Sequence, residues 1–276
     1  MSAAAQVVLA AHGSRDPRFA ATARRVSAAT RRALPDAHVD LAYLDLNEPL
    51  LDDVLAGLRG TVTVVPLLFG DGFHSKVDLP ALLARAVEQN PGLRPAATPV
   101  LGRYSPVPAL IDRLAEAGLR AGDGVLMYAV GSSDPGSDAS IVERGRELSA
   151  VLGIPVETVF ATRLGTDGAV VRAAVDALTA RGARRVAASP LFLSAGLLTE
   201  RVERQLDGIA PGSLVAGPLA DHPALIAAIV RLVQAAGEDR GTRSDRVGVQ
   251  IRSGRGRGST SGPSGIGGGG ACGSGG

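Results

Sequence analysis

The chain contains one pattern twice, and any fold it adopts must be buildable from two copies of it. VVLAAHGSRDP (Val7 to Pro17) is an apolar run that breaks into a polar, glycine-containing turn. VLMYAVGSSDP (Val125 to Pro135) has the same shape, with Val130 where His12 stood. VVPLLFGDGFHSKVDLP (Val64 to Pro80) is echoed by AASPLFLSAGLLTERV (Ala187 to Val202), with Leu198 opposite His74. The offset is 118 residues at the first motif and 124 at the second, so one small insertion separates two units, each about the size of a small domain. Both copies keep the scaffold, but only the first keeps its imidazoles. That asymmetry predicts an active half joined to a supporting half.

Within each copy, short continuous apolar runs alternate with amphipathic helical stretches, the pattern of a parallel sheet covered by helices on both faces. Strands are expected at Gln6 to Ala11, Val39 to Leu46, Thr61 to Phe69 and Ala97 to Leu101. In the second copy they fall at Gly124 to Ala129, Val156 to Ala161, Arg185 to Leu191 and Ser213 to Ala216. Helical patterns lie between them, and AGDG (Ala121 to Gly124) punctuates the join. The reading is therefore α/β, with residues 1–120 as the first half, 121–236 as the second, and a cleft between the halves. After Gly237 the pattern stops, and residues 237–276 are expected to be a disordered glycine-rich tail. Twelve glycines among the 23 residues from Gly254 to Gly276 leave too little apolar surface to offset the entropy of ordering.

Composition excludes several functions. A formal net charge of +2 does not point to a nucleic-acid or membrane surface, and 3% aromatics without tryptophan leave no base-stacking platform. The single cysteine, Cys272, permits neither an internal disulfide nor a thiolate metal cluster. The N-terminal apolar run is too short to span a bilayer and lacks a basic leader, so a soluble cytoplasmic protein is expected.

In an open parallel sheet, ligands sit beyond the carboxyl ends of the strands. His12 directly follows the first strand, Asp45 ends the second, and His74 lies in the glycine-rich loop after the third. The second copy builds the same turns with Val130, Arg163 and Leu198, so none of the three is needed to make its turn. His38 and His222 read as structural or solvent-exposed, and Ser14 and Asp16 as turn or N-cap residues before the first helix.

These residues resemble those of a known family. AHGSRDP followed by PLLFGDGFHSKVDLP is similar to the sirohydrochlorin chelatases of the CbiX/SirB type, over about Val7 to Ala236. The resemblance implies insertion of a divalent metal, Fe2+ or Co2+, into the tetrapyrrole sirohydrochlorin, the metal being a co-substrate and no cofactor staying bound. It implies that His12 and His74 handle the metal and the pyrrole protons, and that Asp45 matches an acidic position, usually glutamate, as a third catalytic residue that accepts a proton or orients a histidine. Many relatives carry glutamate three residues after the second histidine, where this chain has Val77. Long forms of the family are fused versions of a half-length dimer, which implies a monomer acting as an internal pseudo-dimer. Arg15, Lys76 and Arg103 are candidate contacts for substrate carboxylates.

The chemistry suits the residues. Neutral imidazole binds Fe2+, Co2+ or Ni2+ and exchanges usefully. With a free pKa of ~6.5 it can also accept a pyrrole proton near neutral pH. Iron insertion to give siroheme is the expected reaction, with cobalt insertion on the cobalamin route as the alternative. Two other classes compete: a histidine-phosphatase-like hydrolase, opposed by Ala11 before His12 where such enzymes place arginine, and a non-catalytic tetrapyrrole or metal carrier.

Overall fold

The computed structural model describes residues 4–70 and 72–253, apart from the side chains of His74 and of residues 239–253. The first half runs β1 (Ala5–Ala11), α1 (Pro17–Ala33), β2 (Ala37–Tyr43), α2 (Leu51–Gly57), β3 (Gly60–Pro66), α3 (Leu79–Gln89), β4 (Leu93–Ala97) and α4 (Val107–Glu116). The second runs β5 (Asp123–Ala129), α5 (Pro135–Leu152), β6 (Val156–Phe160), α6 (Ala169–Ala180), β7 (Arg185–Pro190), α7 (Leu197–Ile209), β8 (Leu214–Val215) and α8 (Pro223–Ser253). Each half forms a four-stranded parallel sheet, ordered β2-β1-β3-β4 and β6-β5-β7-β8. The repeat in the sequence is thus a repeat in topology.

Side-chain alternation along the central strands explains why those strands read as unbroken apolar runs. Val7, Leu9 and Ala11 of β1 point into one core, while Val8 and Ala10 point into another with Leu51, Leu55 and Leu79 of α2 and α3. In β5, Val125 and Met127 join the first core, and Leu126 and Tyr128 pack with Val171, Val202 and Leu206 of α6 and α7. The first core is common to both halves. It holds Val26 of α1, Leu110 and Leu114 of α4, Leu148 of α5 and Ile229 of α8, so these helices form a central layer between the two sheets. Helix α4 of the first half packs on β7 of the second sheet.

The helix starts reveal why RDP and SDP recur. Asp16 and Asp134 are N-caps, accepting from Arg18 N at 3.0 Å and Gly136 N at 2.8 Å, and Pro17 and Pro135 follow at the first helical position. Several expectations differ from the structure: β2 and β3 end at Tyr43 and Pro66, three residues before the expected Leu46 and Phe69, so Asp45 lies in the turn after β2 rather than at its end. Strand β4 lies at Leu93–Ala97 rather than Ala97 to Leu101, because Pro95 is tolerated on an edge strand, where its missing N–H interrupts no inner ladder. Helix α8 continues past Gly237 to Ser253, through a polar stretch without proline. The compact unit nonetheless ends at Ala236. Residues 254–276, with Cys272 and the expected disordered tail, lie outside the described residues.

A half-buried ion pair stands at the join between the halves. Asp123, at the start of β5, accepts from Arg185 Nε at 3.0 Å and Nη2 at 2.8 Å, and from Arg120 N at 2.7 Å. Arg185 also donates to the Gly118 carbonyl at 3.2 Å. Its guanidinium holds the Asp123 carboxyl below the usual carboxylate range, against the opposing effect of burial. Such a depressed carboxylate stabilises the fold fully above its unfolded-state pKa of ~3.9, and loses that contribution as pH falls through the folded-state value. Asp123→Asn is expected to cost about 1–3 kcal/mol in denaturant unfolding at pH 7. The gap from wild type should narrow progressively below about pH 4; a gap that stays constant down to low pH would refute the linkage.

Candidate active site

The loops after β1, β3, β5 and β7 meet around one open cleft of about 620 Å³, within the size range of small-molecule sites. Its walls follow the repeat. His12 faces the cleft from one half and Val130 from the other; Leu67 is matched by Leu191, and Ser14 by Ser132. Most of the wall is apolar, with serine hydroxyls and Arg15, Asp16 and Asp138 among the polar groups.

His12 is half-buried directly beyond β1, with Nδ1 3.1 Å from the Gly13 carbonyl oxygen. The loop that carries it is buttressed by the turn after β2. The amide of Asp45 donates to the His12 carbonyl at 3.0 Å, and Ser14 N donates to Asn47 Oδ1 at 2.7 Å. Gly13 makes the approach possible: its φ is +104°, and a Cβ there would overlap the Asp45 carbonyl oxygen. The side chain of Asp45 is exposed, accepts from the Leu46 amide at 2.7 Å, and stands outside the cleft wall.

His74 begins a short π-helical segment (His74–Asp78) leading into α3; its side chain lies outside the described residues, and its neighbours Phe73 and Ser75 line the cleft. Of the candidate carboxylate contacts, Arg15 lines the cleft. Lys76 sits at the rim, its Nζ 2.5 Å from Asp134, and keeps that carboxyl below its usual range. Arg103 belongs to a 3-10 turn (Leu101–Arg103) outside the wall. Among the described residues, no group of three or more His, Cys, Asp or Glu converges to hold a metal ion.

The second half has filled the corresponding place with a structural network. Arg163, at the position of Asp45, bonds Asp138 and donates to the Ser132 carbonyl at 2.6 Å, while Ser132 N donates to Asp138 at 2.8 Å. Ties between the halves lie beside the cleft. Arg18 lies 2.6 Å from Glu200 as well as 2.6 Å from Asp16, and Thr22 donates to Ser194 at 3.2 Å. The residues at 76 and 200 are equivalent in the repeat but opposite in charge: lysine meets Asp134 directly, whereas Glu200 reaches Asp16 through Arg18. Sequence reading missed these ties, because the partners of each lie in different halves.

The CbiX family model matches residues 6–117 and 124–236. The chain belongs to the CbiX family. A relative from Priestia megaterium, a sirohydrochlorin cobaltochelatase, is 27% identical over 213 residues, covering 72% of this chain and 68% of its own. The CbiX fold is shared with SirB from Bacillus subtilis with Fe3+, at a TM-score of 0.69 and 22% identity over 83% of this chain and 94% of that one. SirB from Bacillus subtilis subspecies spizizenii in complex with cobalt gives a TM-score of 0.69 at 21% identity over 85% and 96% of the two chains. A CbiX described as the terminal enzyme for siroheme biosynthesis in denitrifying bacteria gives 0.62 at 22% identity, over 84% and 99%.

The Gly13 geometry generates a prediction. Gly13 and Gly60 both hold positive φ, at +104° and +73°, but only at Gly13 would a Cβ meet backbone. Gly60→Ala is expected to lose roughly 1–2 kcal/mol from the left-handed conformation alone. Gly13→Ala should lose more, as read by thermal unfolding, and the reverse order would argue against the close approach.

Proposed function

We propose that this chain inserts a divalent metal ion into sirohydrochlorin, with Fe2+ as the ion and siroheme as the product. The reading rests on a His12-bearing cleft shared by two CbiX repeats, large enough for a substantial part of a tetrapyrrole and walled largely by apolar side chains. Insertion exchanges the ion's water for four ring nitrogens and releases two pyrrole protons. His12 and His74 together hold the incoming ion and receive the protons. Asp45 acts through its backbone, which anchors the His12 loop. Arg15 and Lys76 meet substrate carboxylates at the mouth, and Arg103 contributes at longer range. The chain works as a monomer whose two halves replace the subunits of a dimer. No helix among the described residues is long and apolar enough to cross a membrane, in keeping with the cytoplasmic setting proposed here.

Cobalt insertion is the second reading, supported by the cobaltochelatase relative. Imidazole sites generally bind Co2+ more tightly than Fe2+, so a two-histidine site gains its iron selectivity from supply rather than affinity. Iron is favoured by the siroheme-forming CbiX, whose length corresponds to both halves.

The test is anaerobic insertion of Fe2+ and Co2+ into sirohydrochlorin, followed by absorbance. His12→Ala and His74→Ala are each expected to lower the rate about 100-fold or more with circular dichroism unchanged, since the second copy carries Val130 and Leu198 at these positions. Asp45→Asn is expected to cost less than about tenfold, its carboxylate capping only the Leu46 amide. Full activity in the double histidine variant would overturn the assignment.

A further inference from the structure

Two of the most exposed large apolar side chains among the described residues, Leu197 at 71% and Phe73 at 55%, both line the cleft. They are equivalent in the repeat, each preceding the position held by His74 in one copy and Leu198 in the other. The second half has given up its histidine but kept a large apolar residue beside it. An isolated exposed leucine is ordinary on a protein surface. A matched pair on the two walls of one cleft is a different observation, because both repeats keep an exposed apolar side chain at the same place.

Both are held by loops pressed against the opposite half. A Cβ at Gly70 would lie 2.7 Å from Ser137 Oγ, and one at Gly72 would lie 2.9 Å from Ser132 Oγ, so the Phe73 loop rests on the second half. The Leu197 loop is tied to the first half by the bond from Thr22 to Ser194 at 3.2 Å. The ion pairs Lys76–Asp134 and Arg18–Glu200 lie three residues beyond Phe73 and Leu197 respectively. Each apolar side chain is therefore pre-positioned by contacts that reach across the cleft, which lowers the ordering cost of binding.

We infer that Phe73 and Leu197 are a pair of apolar jaws that seat the flat macrocycle between the halves, leaving its edge carboxylates to polar groups at the rim. This rests on the chelatase reading above and adds the residues that position the ring. A small polyanion would gain nothing from such a pair, whereas a planar tetrapyrrole offers each jaw an apolar face. Covering roughly 55 Å² of apolar surface at ~25 cal/mol per Å² corresponds to about a tenfold change in affinity.

The experiment is a metal-free titration of sirohydrochlorin, read by fluorescence and absorbance. Phe73→Ser and Leu197→Ser are each expected to raise Kd about tenfold, and the double variant about a hundredfold. Leu197→Met should restore binding to within about threefold, and in the insertion assay KM should rise more than kcat falls. Val151→Ser, at a side chain 63% exposed and away from the cleft, should bind like wild type. Wild-type binding with both serine variants within about twofold of it would overturn the jaws, as would an equal loss in Val151→Ser. Absence of sirohydrochlorin binding by the wild type would instead overturn the chelatase reading, and the proposed occupant with it.

Discussion

A single apolar layer lies between the two sheets, and the position of the cleft depends on it. Leu110 and Leu114 of α4, Leu148 of α5 and Ile229 of α8 are buried in one core with the inward residues of β1 and β5. Because α4 packs on β7, the halves interlock rather than touch at their edges. With the sheets held in this way, the loops beyond β1 and β3 face those beyond β5 and β7. Removing the second half would expose this core, so it contributes stability as well as one wall of the cleft.

Much of this was legible in the sequence because duplication supplies an internal control. Comparing Val7 to Pro17 with Val125 to Pro135 separates residues a turn requires, such as Gly13 and Gly131, from those it does not, such as His12. Continuous apolar runs marked strands buried on both faces, and the cores on either side of β1 and β5 bear that out. What stayed hidden depends on long-range geometry. Pro95 disguised an edge strand, and the crossing of α4 to the second sheet leaves no local trace. The helical extension beyond Gly237 has no apolar periodicity to announce it.

The site shows the same division. His12 was visible as a candidate because it follows a strand, yet the contacts of Asp45 were not, since its amide and carbonyl meet the His12 loop while its carboxylate turns to Leu46. The rim ties were invisible because their partners lie far apart in sequence: Lys76 and Asp134 are separated by 58 residues and Thr22 and Ser194 by 172. Phe73 and Leu197 draw no attention in a single copy, where an apolar residue before a helix suggests only packing.

The absence of one histidine set is compatible with the proposed role of His12 and His74 in metal delivery. A half-length dimer with this motif in both subunits would carry two such pairs of imidazoles, whereas this chain carries one pair and has Val130 and Leu198 in place of the other. Insertion needs an ion held well enough to be positioned and loosely enough to pass to the ring nitrogens. Val130 and Leu198 replace imidazole donors by groups with no affinity for the ion, and Arg163 is engaged by Asp138 and Ser132 instead of leaving a carboxylate at that place. The second half thus presents apolar side chains, Val130 and Leu198, to the cleft that His12 faces. On this reading one pair of imidazoles is enough to position the ion, and the second copy is free to supply packing and a wall for the cleft.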